Sequence, residues 1–324
     1  IGRELSADQH YLRHAVVTAL ASCASAEQLH ELASDDSEMV RICAVLGLRR
    51  QSSPLIASFL TDASTWVATE AARAIHDDFS IETALSNLAE SVDQQRDCPV
   101  AMTRRGLNAN FRLGRKIDAD RLIRYAADTN RPEAMRLFAI ESISNWFDPP
   151  VLDAVEGRRR ELHSDRQIDL GRTKDQLAKR VTDTRIPIRV AAVRAARRLG
   201  IELPADALLR LVEDRQSPES LRLETLRSLA ASELGVNRKV ELLVGLTSDP
   251  SPAVASESIG LLASVSDRHA LDVVKDRLDS DSIVVRQACV GVLSRVEVPA
   301  ADEMLDRLGK RFVAGTLDKA IRLD

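Results

Sequence analysis

An all-α solenoid, with helix pairs stacked into a right-handed superhelix, is the fold class this sequence predicts. Three observations carry it. Apolar residues recur at helical spacing along almost the whole chain, and no stretch alternates with the period of two that a half-buried strand needs. The composition is 44% hydrophobic and 29% charged with only 3% aromatic, which suits helices packed through small and aliphatic side chains. One pattern, apolar–Arg–x–x–small followed by an apolar helical face, returns along the chain, as in a repeat protein.

The pattern begins with HYLRHAVVTALAS (10–22), EMVRICAVLGLRR (38–50), TWVATEAARAIHD (65–77) and PVAMTRRGLNANF (99–111). It continues with EAMRLFAIESISN (133–145), IPIRVAAVRAARR (186–198), ESLRLETLRSLAA (219–231), PAVASESIGLLAS (252–264) and SIVVRQACVGVLS (282–294). Arg13, Arg41, Arg136, Arg189, Arg222 and Arg286 hold the anchor position, and Ala68, Thr103 and Ala255 replace it. Successive anchors lie roughly thirty residues apart, the period of a helical repeat, except for the longer gap between Arg136 and Arg189. A second amphipathic stretch follows most segments, as in SPLIASFLTD (53–62), ADALLRLVED (205–214) and ALDVVKDRLDSD (270–281). These stretches end in Asp or Ser-Asp turns, often with a proline beyond: Pro187, Pro218, Pro250 and Pro252. The unit is helix, short turn, helix, and about nine are expected, the first incomplete. Asp35 or Asp36, Asp128, Asp183 and Asp281 precede anchors, which predicts an Arg–Asp ladder that holds neighbouring units in register. One solenoid, 1–324, is expected, with N-terminal repeats at 1–147, an irregular insertion and helix at 148–184, and C-terminal repeats at 185–324.

The recurring D-x-x-x-x-V-R-x-x-A pattern resembles the HEAT-repeat family. The resemblance implies the right-handed solenoid, and stacked repeats create the large surfaces that suit an interaction module. EAARAIHD (70–77), RRGLNANFRLG (104–114) and MRLFAIESISNWFDPPVLDAVEGRRREL (135–162) are more distinctive. They resemble the helical-repeat segment of large bacterial membrane-bound dehydrogenases. In those multidomain proteins a sugar-dehydrogenase-like β-propeller precedes the repeats and a c-type cytochrome domain with CxxCH follows. The resemblance implies an extracytoplasmic parent of which this chain, opening on Ile1, is a fragment. The cysteines here, Cys23, Cys43, Cys98 and Cys289, form no CxxC or CxxCH, so haem and catalytic residues of such a parent fall outside the chain.

Four features are candidates for function. In EAARAIHDD (70–78), Glu70 and His76 sit six residues apart, about 240° around a helix, so they do not converge on a metal. The expected roles are structural: Ala71, Ala72 and Ile75 pack, His76 ends a helix, and Asp77 and Asp78 cap the next. The stretch Trp146–Thr184 breaks the repeat. Trp146, Phe147, Val151, Leu152 and Val155 are expected to pack on the solenoid and leave Arg158, Arg159 and Arg160 on the surface, the best candidates for partner contact. Asp153–Arg198 holds thirteen Lys and Arg against seven Asp and Glu, and Arg194, Arg197 and Arg198 are expected on the exposed side of their helix. Acids interrupt this basic run and aromatics for base stacking are scarce, and the whole chain has a formal charge of −4. Nucleic-acid binding through Arg158–Arg198 is therefore kept as the alternative. Of the scattered histidines, only His10 and His14 have i,i+4 spacing, and they lack a third ligand. With no GxSxG, P-loop or GxGxxG, no catalytic, cofactor or metal residue is assigned. A non-enzymatic interaction or scaffold module is expected, with a protein or an adjacent domain of its parent as partner. Compartment follows the parent. No apolar run reaches the roughly 20 residues of a membrane span.

Overall fold

A computed structural model of the chain describes residues 10–77, 81–94, 98–162 and 164–317. Backbone contacts divide the chain into two compact units, Ile1–Arg180 and Val181–Asp324. The irregular segment 148–184 belongs to the first unit up to Arg180.

In the first unit, α1 (His10–Cys23), α3 (Glu38–Arg50), α4 (Thr65–His76), α6 (Val100–Leu113) and α8 (Glu133–Ser144) coincide with the anchor segments. Each packs on the next, forming one layer. The other layer holds α2 (Ala26–Glu31), a 3-10 helix at Pro54–Thr61, α5 (Leu85–Gln94) and α7 (Lys116–Ala127), and α9 (Leu170–Arg180) packs beside α7. In the second unit the anchor layer is α10 (Ile186–Arg198), α12 (Glu219–Ala231), α14 (Pro252–Val265) and α16 (Ile283–Leu293). Alongside lie α11 (Ala205–Glu213), α13 (Val236–Leu246), α15 (Asp267–Arg277) and, after α16, α17 (Pro299–Val313). Among the described residues there is no strand, only one isolated bridge between Leu152 and Arg159.

Burial follows the repeat. Ala68, Ala71, Ala72, Ala139, Ala192 and Ala255, all on anchor helices, are buried. Larger side chains, among them Leu29, Ile42, Leu48, Ile56, Phe59, Ile75 and Leu88, fill the space between the layers of the first unit. The close approach of α5 to α6 depends on Gly106. A Cβ there would lie 2.5 Å from Val92 Cγ1 and 3.1 Å from the Leu88 carbonyl oxygen.

The anchor arginines form a ladder in both units, but chiefly to carbonyls, and the Arg–Asp carboxylate pairs described are at Arg41 and Arg222, to Asp62 and Asp249 in place of the preceding aspartates. The last carbonyls of a helix have no intrahelical donor, and a cation near them is favoured by the helix dipole. Arg136 Nε donates to the Ala126 carbonyl (2.9 Å), Arg222 Nε to Val212 (2.8 Å) and Arg189 Nε to Val181 (3.1 Å). Arg41 and Arg286 donate through Nη1 to the carbonyls of Asp35 (2.8 Å) and Ser280 (2.5 Å). Two anchors also reach forward to the following unit. Arg41 forms a two-pronged pair with Asp62 (2.7 and 3.1 Å), and Arg222 one with Asp249 (3.0 and 2.5 Å). Asp62 and Asp249 also accept from the N–H two residues on, at Ser64 (2.7 Å) and Ser251 (2.9 Å), so one carboxylate shapes the turn and receives the anchor. Arg13 differs: its guanidinium lies over the Trp66 ring, 5.7 Å from the centroid.

Both members of the Arg222–Asp249 pair are nearly inaccessible, 4% and 3% exposed. Removing one member of such a buried pair strands the other and costs about 3–5 kcal/mol. Arg222→Ala is therefore expected to lower stability by about that amount in urea unfolding. Arg238→Ala, whose partner Glu241 is itself exposed, should change it by less than about 0.5 kcal/mol. Equal effects would contradict a ladder that holds the stack.

Candidate interaction surface

His76 is completely buried at the end of α4 and is the centre of a polar junction. Asn108 Nδ2, on α6, donates one hydrogen to His76 Nε2 (2.9 Å) and the other to Asp153 Oδ2 (2.5 Å). Nε2 is thus an acceptor and the ring proton sits on Nδ1, which donates to Asp77 Oδ1 (2.9 Å). Arg105 grips both Asp77 oxygens (2.9 and 2.6 Å). The His76 carbonyl accepts from Arg112 Nη1 (2.9 Å) and Arg160 Nη2 (3.1 Å). Burial opposes ionisation of Asp77, yet the hydrogen bonds from His76 and Arg105 outweigh it and hold the carboxyl below its usual range. Asp153 is lowered too: burial again opposes, and the Glu156 and Val155 N–H groups prevail.

This arrangement revises the expected role of Asp77. Its side chain closes the junction instead of capping a following helix. Asp78 lies outside the described residues. Glu70 pairs with Arg73 and takes no part. His14 contacts Arg50, while the His10 side chain and His163 lie outside the described residues. Among the described residues no group of three His, Cys, Asp or Glu is placed to hold a metal ion.

The junction fastens the segment that interrupts the repeat. Asp153 Oδ1 accepts from the N–H groups of Val155 (2.8 Å) and Glu156 (3.0 Å), Asp153 N–H donates to the Arg158 carbonyl (2.7 Å), and Gly157 turns the chain at φ 69°. The positive φ suits glycine. The resulting loop is bridged at Leu152–Arg159. Arg104 Nη2 holds it by donating to the Ala154 carbonyl (2.9 Å). A cavity of only about 10 Å³, room for about one water, remains between loop and α6.

Two expectations about this segment are corrected. Trp146 is fully buried as expected, but Phe147, Val151 and Leu152 are 55%, 68% and 55% exposed. Polar bonds anchor the loop, so its apolar residues need not face inward. Arg160 is not left on the surface. It pairs with Glu156 and reaches the His76 carbonyl, and only Arg158 and Arg159 are exposed. Arg166 was not singled out from the sequence, and it is the second fastening. Its guanidinium stands over the rings of both Phe111 and Trp146, 4.4 and 4.2 Å from their centroids, and donates to the carbonyls of Phe111 and Trp146 (both 2.6 Å). Burial pushes its pKa down to about 10. The aromatics that end NANF and SNW, Phe111 and Trp146, were the available signal, but the partner arginine lies 55 and 20 residues beyond them.

Arg194, Arg197 and Arg198 fall in the second unit. Arg194 and Arg198 are exposed and Arg197 is half-buried. Arg197 donates through Nε and Nη2 to Glu224 Oε1 (3.1 and 2.8 Å), and Arg194 Nε to Oε2 (3.3 Å). Glu224 is buried under them on α12. The six candidate arginines therefore form two groups, one in each unit.

Stacked helix pairs with a closely packed anchor layer define a HEAT- or armadillo-type helical solenoid. Residues 205–294, which span α11 to α16, match the family model described as HEAT repeats, and this stretch is a HEAT-repeat array. Among solved structures, Kap121p bound to Pho4p aligns with a TM-score of 0.57 at 14% identity over 98% of this chain, which spans 43% of that one. YibA of Escherichia coli aligns over 91% of this chain and 100% of its own (TM-score 0.45, 14% identity). Human deoxyhypusine hydroxylase in complex with glycerol aligns over 88% and 98% (TM-score 0.32, 18% identity). A comparison with curated protein sequences finds no match.

Asn108→Leu removes both hydrogens that bind Asp153 to His76. Trypsin is expected to cut wild-type protein slowly at Arg158 and Arg159, and the variant at least about tenfold faster, as the loop opens locally. The lowered carboxyls give a second expectation. Asp77 and Asp153 stabilise the folded junction above the unfolded carboxylate pKa, about 3.9, and that contribution is lost as pH falls through their lower folded values. Trp146 fluorescence should report loosening below about pH 4, and Asp153→Asn should flatten the acid transition. An unchanged transition would remove Asp153 from the junction.

Proposed function

We propose that this chain is a non-enzymatic protein-interaction module, and that the bridged loop at 147–160 is a principal point of contact. The observation that carries the proposal is the loop's construction. Buried polar groups hold it rigidly, while Phe147, Val151 and Leu152 are exposed, as are Arg158 and Arg159. Leu152 and Arg159 are directly opposed across the bridge, which puts both side chains on one face. A rigid platform with an apolar centre and guanidinium groups has the anatomy of a protein-binding hot spot, and loops on rigid scaffolds commonly carry function.

The resemblance of three sequence stretches to bacterial membrane-bound dehydrogenases supports a finer reading. In it the module spaces a propeller enzyme from a c-type cytochrome outside the cytoplasm, and the loop contacts one of them. A CxxCH motif encoded downstream would support that placement. No helix among the described residues is long and apolar enough to cross a membrane. Nucleic-acid binding through Arg158–Arg198 has less behind it, because Arg160, Arg194 and Arg197 all engage glutamates within the chain.

Val151→Ser/Leu152→Ser/Arg159→Glu changes only exposed side chains, so thermal unfolding should match wild type. In quantitative pull-down against the parent's other domains, the variant should retain less than about a tenth of the wild-type signal, as loss of a hot spot implies. Full retention by a folded variant would sink the loop as the contact.

A further inference from the structure

We propose that the exposed face of α10 and α12 binds a carboxylate-bearing peptide of a protein partner, with Arg194 and Arg227 receiving the carboxylate. The proposal rests on the interaction-module reading and adds to it a second site, in the second unit, with a stated ligand chemistry.

The first observation is the uneven use of three guanidinium groups around Glu224. Arg197 alone supplies two short bonds to that buried carboxylate. Arg194 contributes one bond, from Nε at 3.3 Å, and its two terminal nitrogens meet no acceptor among the described residues, although the side chain is 44% exposed. Arg227 Nη1 stands 3.8 Å from Glu224 Oε2, while its Nε and Nη2 pair with Glu257 (2.8 and 3.0 Å). Glu224 therefore works as an internal template. It draws Arg194 and Arg227 towards one oxygen atom and aims the open fork of Arg194 outward. Such a fork matches a carboxylate through two parallel N–H···O bonds.

The second observation is charge. Arg194, Arg197 and Arg227 outnumber Glu224 and Glu257 in this cluster, and α10 contains four arginines and no acid. The local surplus is positive although the chain is negative overall. Complementarity of this kind selects an acidic partner and speeds its encounter.

The shape of the layer favours a main chain over a bulkier group. Arg194, Arg227, Gly260 and Gly291 each lie five residues after the anchor position of their helix, so they form one row across α10, α12, α14 and α16. A Cβ on Gly260 or Gly291 would meet nothing within 4 Å. Packing within the chain thus gives no reason for glycine, which weakens a helix interior. Beyond Arg227 the row carries no side chains, and an extended backbone can lie close to the helices once its carboxylate is held.

The test is fluorescence anisotropy with the full chain and a labelled octapeptide of alternating Glu and Ala, at about 50 mM salt, where screening is modest. The Glu peptide should bind, and the matching Gln peptide should bind at least about tenfold more weakly. Arg194→Gln/Arg227→Gln should weaken binding about tenfold or more, and Arg194→Lys, which keeps charge but loses the fork, should fall between. Glu224→Gln removes the competing internal carboxylate and should tighten binding several-fold, an effect that a merely structural glutamate would not produce. Equal binding of the Gln peptide, preference for a Lys peptide, displacement by inorganic phosphate at the peptide's own concentration, or indifference to Arg194→Gln/Arg227→Gln in a protein that melts normally would each overturn the site. Val151→Ser/Arg159→Glu should leave peptide binding intact. Failure here, with loop-dependent capture preserved, would reject this site and leave the interaction module standing.

Discussion

Stacking in this protein depends on the arginine that recurs in the first turn of most anchor helices. A single helix pair has one apolar face and nothing of its own to bury it against, so stability comes from neighbours. Apolar contact is non-directional and would tolerate some sliding between pairs. The guanidinium does not. Arg222 must meet the Val212 carbonyl behind it and both oxygens of Asp249 ahead of it, and those positions coincide in only one register. The same residue satisfies carbonyls at a helix end that would otherwise be unpaired. The turn aspartate is shaped by its own backbone before the arginine reaches it, so turn geometry and stacking register are set together.

The arginine side of this ladder was legible in the sequence because it recurs at a fixed spacing, whereas its acceptors are largely backbone carbonyls, which no residue type marks. The helices were legible for the same reason. The interrupted region was only partly so. Pro149 and Pro150 after Trp146 announce a break, and the burial of Trp146 followed from its size. The direction of Phe147, Val151 and Leu152 did not follow, because apolar residues at helical spacing read as anchors when no other anchor is visible. The actual anchors are Asp153, Arg160 and Arg166. Their partners, His76, Asn108, Phe111 and Trp146, lie far away in sequence and repeat nowhere. The exposure of Arg194 was legible from the helical wheel, but Glu224 beneath it was not. A glutamate at that point in α12 looks like any solvated helix residue until three arginines are seen around it.

The two candidate surfaces use charge in opposite ways. At the loop, Asp153 and Arg160 are turned inward and hold the chain rigid, and Phe147, Val151 and Leu152 are left outside with Arg158 and Arg159. At α10–α12, one inward carboxylate leaves guanidinium groups facing out. Both follow one rule: a buried charge must be matched, and how completely it is matched decides what is left over at the surface. Asp77 is matched by Arg105 and His76 together. Glu224 is surrounded by more cations than it needs.

The His76 carbonyl has a consequence for how such a chain can change length. In the second unit, Arg222 and Asp249 join adjacent pairs through a contact local to one turn, so a pair could be copied or excised at that turn and the cut ends would still fit. The first unit has no such freedom between α4 and Arg166. One carbonyl oxygen is shared by Arg112 on α6 and by Arg160, 84 residues away from it along the chain. Insertion of a further pair anywhere in that interval would carry the loop past its seat. The modular half of the protein can grow by duplication, and the half that holds the loop behaves as a single indivisible part.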